Sequence, residues 1–403
     1  MRKKRQLSLD EGSRSKTIQG PVRLREWSKD SSGRPHDNMM DPEVSILLDC
    51  AQWRGLLENQ VQVELSDRFN RQTDPLLEQH IGEVWTQRLT KEPWLFNGAK
   101  FRLHSFRLAS PERLHCDGSD GHLCEQRRDG AAEGDHVHIN GGCLDQSGDN
   151  GGFNEKPSPA MSRGAAVRHH PSSLLTLRLG LTCYKDYLGT NWSCKVAELR
   201  RRGQKEFGDS LALLAQPLGV GGVLCTCDSQ VVFIRRSQKV AEAGGLLDIP
   251  GGHPEPKAVC ERQGEAGEHI SMAVMQQRPD AVVSELFSSV CAEIRDEVNV
   301  PLSCLGAPVL MGIALNHTSA GRPSAEFYIR CTVLSSDEVR KLYWEGGAEA
   351  NESTDVVFLS RTEVLQLNRS SPLWSEMCPS AKGAILLYQT VKPERKQNHR
   401  EEK

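Results

Sequence analysis

The sequence predicts an α/β fold, an α/β/α sandwich preceded by an N-terminal α+β region, and three observations carry that prediction. In its second half, apolar runs alternate with amphipathic stretches in the order strand, strand, helix, strands, helix, strand, helix, which suits a sheet covered on both faces. Residues 223–227 and 231–235 flank Asp228-Ser229 as the arms of a hairpin. A helix-sized segment, 285–298, follows a strand-like run at 246–249 across Pro250-Gly251-Gly252, a turn where backbone can approach a ligand closely.

In chain order, residues 1–39 are polar, charged and without periodicity, and read as a disordered basic extension. Its tetrad Arg2-Lys3-Lys4-Arg5 reads as a solvated tail, with a nuclear signal as the alternative. Residues 40–220 form the N-terminal region. It opens with an apolar run at 44–48, then a helix over 77–89 around Ile81, Val84, Trp85 and Leu89. Residues 101–108 and 174–179 look like two strands that would pair if the sequence between them were removed. That intervening stretch, 110–171, is rich in Gly, Asp, His, Arg and Ser, and reads as a disordered insertion within the domain. Its Cys116, His122, Cys124, His136, His138 and Cys143 match no tetrahedral zinc spacing well. A strand over 184–188 and a helix over 196–204 complete this region.

The second region runs over 221–391. At its entry Gly219-Val220-Gly221-Gly222 reads as a turn into the hairpin rather than a phosphate loop. Cys225 and Cys227 are expected to share one packed face of the strand. Strands are expected over 308–315 and 325–333 around a polar loop, a helix over 337–344, and a strand over 355–359. A final helix over 380–391 has Ser380 as its capping candidate. Residues 392–403 form a charged tail.

Composition excludes several classes. A chain of 403 residues can bury a sizeable core, while 37% hydrophobic content and a mean hydropathy of −0.50 imply substantial unstructured sequence. A net charge of −3 gives no electrostatic case for nucleic acid. No apolar run approaches the roughly 20 residues of a membrane span, and the N-terminus lacks the apolar core of a signal peptide. Thirteen scattered cysteines then read as reduced thiols, so a cytoplasmic location is expected, with the nucleus as a further one.

The chemistry concentrates in 285–298. Wound at about 100° per residue, this segment gathers Leu286, Phe287, Val290, Cys291, Ile294 and Val298 on one side, and Glu285, Glu293, Asp296 and Glu297 on the other. Like charges at i,i+4, such as Glu293 and Glu297, destabilise a helix by a few tenths of a kcal/mol, about 0.3. A hard cation held by carboxylate oxygens and shared with substrate phosphates reverses that cost. The plainer reading of such a face is solvated acid.

In this setting the segment resembles the box of the Nudix hydrolases. Ala292-Glu293-Ile294-Arg295-Asp296-Glu297-Val298-Asn299-Val300 aligns with its C-terminal half, placing Glu293 and Glu297 at the family's metal positions. Three departures stand out. The family's arginine is Ala292, its terminal glycine is Asn299, and some 30 residues separate Gly252 from Glu285. Asn299 is a mild change, since asparagine tolerates the left-handed conformation of a helix end. Further strings resemble the branch acting on UDP-glucose and UDP-galactose. They include Trp94 to His104, Gly180 to Trp192, Phe233 to Ser237, Pro250 to Pro256, Thr318 to Tyr328 and Cys378 to Gly383.

The resemblance implies a Nudix-type sandwich with an N-terminal substrate-binding region, and Mg²⁺-dependent hydrolysis of a nucleotide sugar to UMP and a sugar 1-phosphate. It implies metal and catalytic roles for Glu293 and Glu297, and substrate contacts at Phe96, Tyr184, Arg236, Ala241, Asp248, His253, Glu255 and Ser380. On this reading Phe96 and Tyr184 suit uracil and Arg236 suits a phosphate. Glu326 remains as a candidate general base, its plainer reading being an exposed strand carboxylate. The rivals are a degenerate Nudix domain that binds a nucleotide sugar or a protein without turnover, and a hydrolase of another diphosphate such as a dinucleotide or coenzyme A.

Overall fold

Alternating apolar residues build two sheets, and one forked strand pair in the larger sheet makes room for the site. The computed structural model describes residues 41–109, 173–240, 242–261 and 270–394. The N-terminal extension, the 110–171 insertion with its cysteines and histidines, Ala241 and nearly all of the C-terminal tail lie outside the described residues.

The N-terminal region supplies β1 (Val44–Asp49), β2 (Val61–Leu65), α1 (Pro75–Lys91), β3 (Ala99–Leu108), β4 (Leu175–Cys183), α2 (Tyr184–Gly189) and α3 (Val196–Phe207). There follow β5 (Gly219–Cys225), β6 (Gln230–Arg236), β7 (Leu247–Asp248), β8 (Gly251–Gly252), α4 (Pro256–Glu261), α5 (Met272–Gln276) and α6 (Pro279–Val298). The chain continues through β9 (Val309–Asn316), β10 (Arg322–Arg330), α7 (Ser336–Glu345), β11 (Ser353–Ser360), α8 (Arg361–Gln366) and α9 (Pro379–Val391).

Among the described residues the large sheet runs β1-β9-β10-β5-β6-β11, with β7 paired to β6 and β8 to β5, while the small sheet runs β2-β4-β3. Alternation along β10 shows both faces of the large sheet covered. Ala325, Phe327 and Ile329 pack in one core with Val290 and Ile294 of α6, and Tyr328 packs in another with Tyr388 of α9. The small sheet joins the α6 core through Val61, Val63 and Leu65 of β2. The first strand of the N-terminal region belongs to the large sheet, since β1 pairs antiparallel with β9.

The α/β/α sandwich stands as expected. The strands on either side of the insertion pair as their sequences require: Leu108 lies opposite Leu175 in the antiparallel β3-β4 ladder, and the Ala109 N–H donates to the Leu174 carbonyl at 2.7 Å. The hairpin is present but nearly unpaired, with Cys225 opposite Val231 as its only registered pair. Beyond that pair the two strands part, and the segment from β7 to β8 crosses the gap: Asp248 pairs with Ile234 of β6, and Gly251 with Gly221 of β5. The expected strand over 246–249 is therefore two short ones.

Four local expectations are corrected. Residues 184–188 form helix α2 rather than a strand; Asn97 Oδ1 accepts the Lys185 N–H at 2.8 Å, and packing against α1 overrides the aromatic strand preference. Gly219 to Gly222 lie inside β5, in parallel register with 324–327 of β10. Cys225 is buried at the strand end, but Cys227 is exposed in the following turn, so they share no face. The cap of α9 is Cys378, with Pro379 in the first turn, a position whose missing N–H costs nothing. Ser380 sits inside the helix and is used otherwise. Among the described residues, no helix is long and apolar enough to cross a membrane.

Because the ends of β3 and β4 already meet, replacing residues 110–172 with a turn of about four residues leaves the thermal midpoint within a few degrees of the parent. Circular dichroism melting of the two proteins checks it, and loss of the cooperative transition contradicts it.

Candidate active site

The segment leaving the fork is extended, so its alternate N–H groups point the same way. The Gly251 N–H donates to Glu297 Oε2 at 2.8 Å, the His253 N–H donates to the Glu293 carboxylate, and the Glu255 N–H donates to Glu285 Oε1 at 3.0 Å. Three glutamates of α6 are thus held by residues 251, 253 and 255. For the first two the spacing fits: two extended residues advance about 6.6 Å, and the four-residue step from Glu293 to Glu297 advances about 6 Å. Pro279 in the first turn starts α6, and Asn299 ends it in the left-handed conformation (φ 63°), as its chemistry allows.

The acidic side of α6 is not a solvated face. Glu285 and Glu297 are each 3% exposed, and Asp296 turns to Arg295 instead, with oxygens 2.7 Å from its guanidinium. The expectation that set Glu297 opposite the apolar residues is corrected: at about 100° per residue it falls between Leu286 and Val290 on the helix surface, so it enters the core-facing sector. Burial, with Glu349 adding, pushes the Glu293 carboxyl up to about 7, while the His253 N–H and Lys100 oppose the rise. Burial pushes Glu297 well above the ordinary carboxylate range, with Glu293 and Asp248 adding and the Gly251 N–H and Arg236 opposing. The close approach demands glycine: a Cβ on Gly252 would lie 1.9 Å from Glu293 Oε1.

Two acids absent from the sequence-based candidates join this group. Glu297, Glu349 and Glu352 offer carboxylate oxygens within 4.8 Å of one another. The loop after α7 brings them there: the Glu349 N–H donates to the Asp296 carbonyl at 2.9 Å, and the Glu352 carbonyl accepts the Ser237 N–H at 2.7 Å. Glu297 is buried while Glu349 and Glu352 are exposed; carboxylates crowded in this way repel one another, and a hard divalent cation bound by oxygen removes that repulsion. The donor set fits such an ion. The legible sequence signal was the pattern Gly346-Gly347-Ala348-Glu349-Ala350-Asn351-Glu352, a flexible loop with two acids three residues apart.

A second cluster lies across the fork. Arg236 Nη1 donates to Asp248 Oδ2 at 3.1 Å, and Asp248 Oδ1 accepts from Ser380 Oγ at 2.9 Å and from the Ile249 N–H at 2.9 Å. Arg236, Asp248 and Ser380 are thereby assembled from β6, β7 and α9. Lys100 of β3 reaches Glu255 Oε1 at 2.9 Å. His253 loses solvent and faces Arg322 and Lys100, which together push its imidazole well below the ordinary value and keep it neutral. Tyr184 stands edge-on to Trp85, with ring centroids 6.3 Å apart. Its N–H donates to the Gly98 carbonyl at 3.0 Å. Phe96, 72% exposed, folds its ring over Gly98 and so lies near Tyr184 without entering the acidic cluster.

Glu326 is not the exposed strand carboxylate of its plainer reading. It is fully buried, and it projects from the face of β10 opposite α6, beside Gly221, whose absent Cβ would lie 2.3 Å from its Oε2. Neither oxygen makes a hydrogen bond of ordinary geometry among the described residues. Burial pushes its carboxyl up to about 8, with Asp248 adding and Ser324 and Arg322 opposing. The strand's alternation puts the side chain on the α9 face, the side on which Asp248 meets Ser380.

Comparison with known proteins finds relatives that align over most of the chain. The chain is 44% identical to "Uridine diphosphate glucose pyrophosphatase NUDT22" of Homo sapiens over 352 residues, 87% of this chain and 94% of the relative. It is 44% identical to the Bos taurus protein of the same name over 87% of this chain and 98% of the relative. "Nudix hydrolase 9" of Arabidopsis thaliana is 31% identical over 83% of this chain and 89% of the relative. No family model matches. A solved MutT protein from Methanosarcina mazei Go1 covers 44% of this chain and 95% of its own at 12% identity and TM-score 0.26, too slight a likeness to bear weight.

The raised carboxyl of Glu326 makes stability depend on pH. Between its ordinary 4.5 and about 8, the unfolded chain has released this proton and the folded chain has not, so stability falls as pH rises through that window. Glu326→Gln removes the dependence. The variant is expected to melt a few degrees above the parent at pH 8.5 and level with it at pH 5. Equal melting at both pH values contradicts the assignment.

Proposed function

Because this chain belongs to the Nudix hydrolase family, we propose that its site hydrolyses the diphosphate of uridine diphosphate glucose, as the names of its relatives describe for them. The products are UMP and glucose 1-phosphate, and UDP-galactose is a second substrate of the same chemistry. The observation that carries this reading is the alignment of Glu293 and Glu297 on the backbone of residues 251 and 253, within a group of acids completed by Glu349 and Glu352.

Glu293 and Glu297 would hold the divalent ion, with Glu349 and Glu352 at hand, and we assign the ion as Mg²⁺ because oxygen donors are its preferred ligands. When bound, Mg²⁺ supplies charge neutralisation at the diphosphate and activation of the attacking water. The protein's own groups do the rest. The N–H groups of Gly251 and His253 fix where the two carboxylates point, which sets the geometry before substrate arrives. Arg236, oriented by Asp248 and by the Glu242 carbonyl at 3.1 Å, presents its planar fork to a phosphate. Phe96 and Tyr184 offer aromatic surface to uracil. Asp248, His253, Glu255 and Ser380 line the path between, and Ala241 is assigned to substrate on resemblance alone.

Product analysis tests the reading. With Mg²⁺ and UDP-glucose, the parent should yield UMP and glucose 1-phosphate, and Glu297→Gln should lose at least about 100-fold in turnover while melting as a folded protein. A folded parent without turnover on this and other nucleotide diphosphates would instead mark a binding module. Gly252→Ala tests the close approach separately. The added methyl displaces Glu293, so kcat should fall roughly 10- to 100-fold, with more Mg²⁺ needed for half-maximal rate. Unchanged Mg²⁺ dependence would show that Gly252 does not govern the carboxylate.

A further inference from the structure

We propose that Arg322 is a further substrate-binding residue, one that takes the diphosphate of the nucleotide sugar alongside Arg236. The inference rests on the nucleotide-sugar reading above. Arg322 opens β10, and its side chain is only 16% exposed. A buried guanidinium ordinarily gives its donors to carboxylates or carbonyls at short range, because an unused donor withdrawn from water costs free energy. Arg322 is poorly served in this respect. Its Nη1 lies 3.3 Å from the ring nitrogen Nε2 of His253, its Nη2 is 3.5 Å from Glu242 Oε2, and its buried Nε has no hydrogen-bond partner among the described residues. An anionic ligand would supply what the protein does not.

The surroundings indicate which anion. Glu242 holds both arginines: its carbonyl accepts from Arg236 Nε at 3.1 Å, while its carboxylate faces Arg322. The same carboxylate accepts from the Tyr187 hydroxyl, and the guanidinium of Arg322 lies 5.9 Å from the Tyr187 ring centroid. Two guanidinium groups from β6 and β10 are therefore tethered to one residue. On its other side Arg322 meets His253, whose N–H is on Glu293. Arg322 thus touches one residue that holds Arg236 and another whose N–H holds Glu293, within reach of a diphosphate bound by both. A group with two phosphates spans both arginines; the uridine moiety alone gives Arg322 nothing to hold.

That contrast is the test. Binding of UDP to the full chain with Mg²⁺ is measured by titration calorimetry, and binding of uridine by ligand-observed NMR, for the parent, Arg322→Lys and Arg322→Gln. Arg322→Gln should weaken UDP roughly 10- to 100-fold and leave uridine within about twofold, with Arg322→Lys in between because it keeps the charge and loses the fork. Should Arg322→Gln fail to fold, Arg322→Lys with the parent's melting midpoint decides by the same contrast. Equal weakening of both ligands, or of neither, overturns the inference. A parent that binds UDP regardless of residue 322 overturns this inference alone, whereas a parent that binds no UDP overturns the substrate reading with it.

Discussion

The site depends on one arrangement: an extended backbone laid along a helix so that N–H groups at residues 251, 253 and 255 meet the carboxylates of Glu297, Glu293 and Glu285. The backbone segment belongs to a short, two-residue strand on each side of Pro250, and the glutamates are buried against a cost that only hydrogen bonds or a cation offset. Each supplies what the other lacks. The family's arginine is Ala292 here, and positive charge reaches Glu293 from Lys100 of the small sheet, so the two sheets are tied together electrostatically at this point.

The fork between β5 and β6 is what lets the segment in. Strands joined as a hairpin normally pair along their length, but these pair at Cys225 and Val231 and then separate. The 247–252 segment fills the opening by pairing with one arm and then the other. Asp248 can then reach Ser380 on the α9 side while Gly251, three residues later, reaches Glu297 of α6. One short stretch of chain thus connects chemistry on the two faces of the sheet.

Much of this was legible in the sequence. Apolar spacing alone placed α1, α6 and the pairing of β3 with β4, because those elements bury one regular stripe or face. Glu293 and Glu297 stood out by spacing and by the Gly251-Gly252 turn ahead of them. What was hidden has specific causes. The burial of Glu297 follows from its position between Leu286 and Val290, yet its charge pointed the other way. Residues 184–188 have strand-like composition but are bent into a helix by Asn97 and by α1. Glu349, Glu352, Arg322 and Glu242 come from loops or a strand end far apart in sequence, and no local period brings them to Glu297 or His253. Long-range contacts of this sort leave no signal in a single chain beyond the residue types themselves.

The most direct measurement is amide hydrogen exchange at single-residue resolution for Gly251, His253 and Glu255. If these N–H groups are held by the glutamates of α6, they exchange on the slow timescale of the β5 and β10 ladder amides, although they lie largely outside regular pairing. Exchange as fast as that of the exposed loop around Trp94 and Phe96 would mean the clamp does not exist, and the geometry assigned to Glu293 and Glu297 would fail with it.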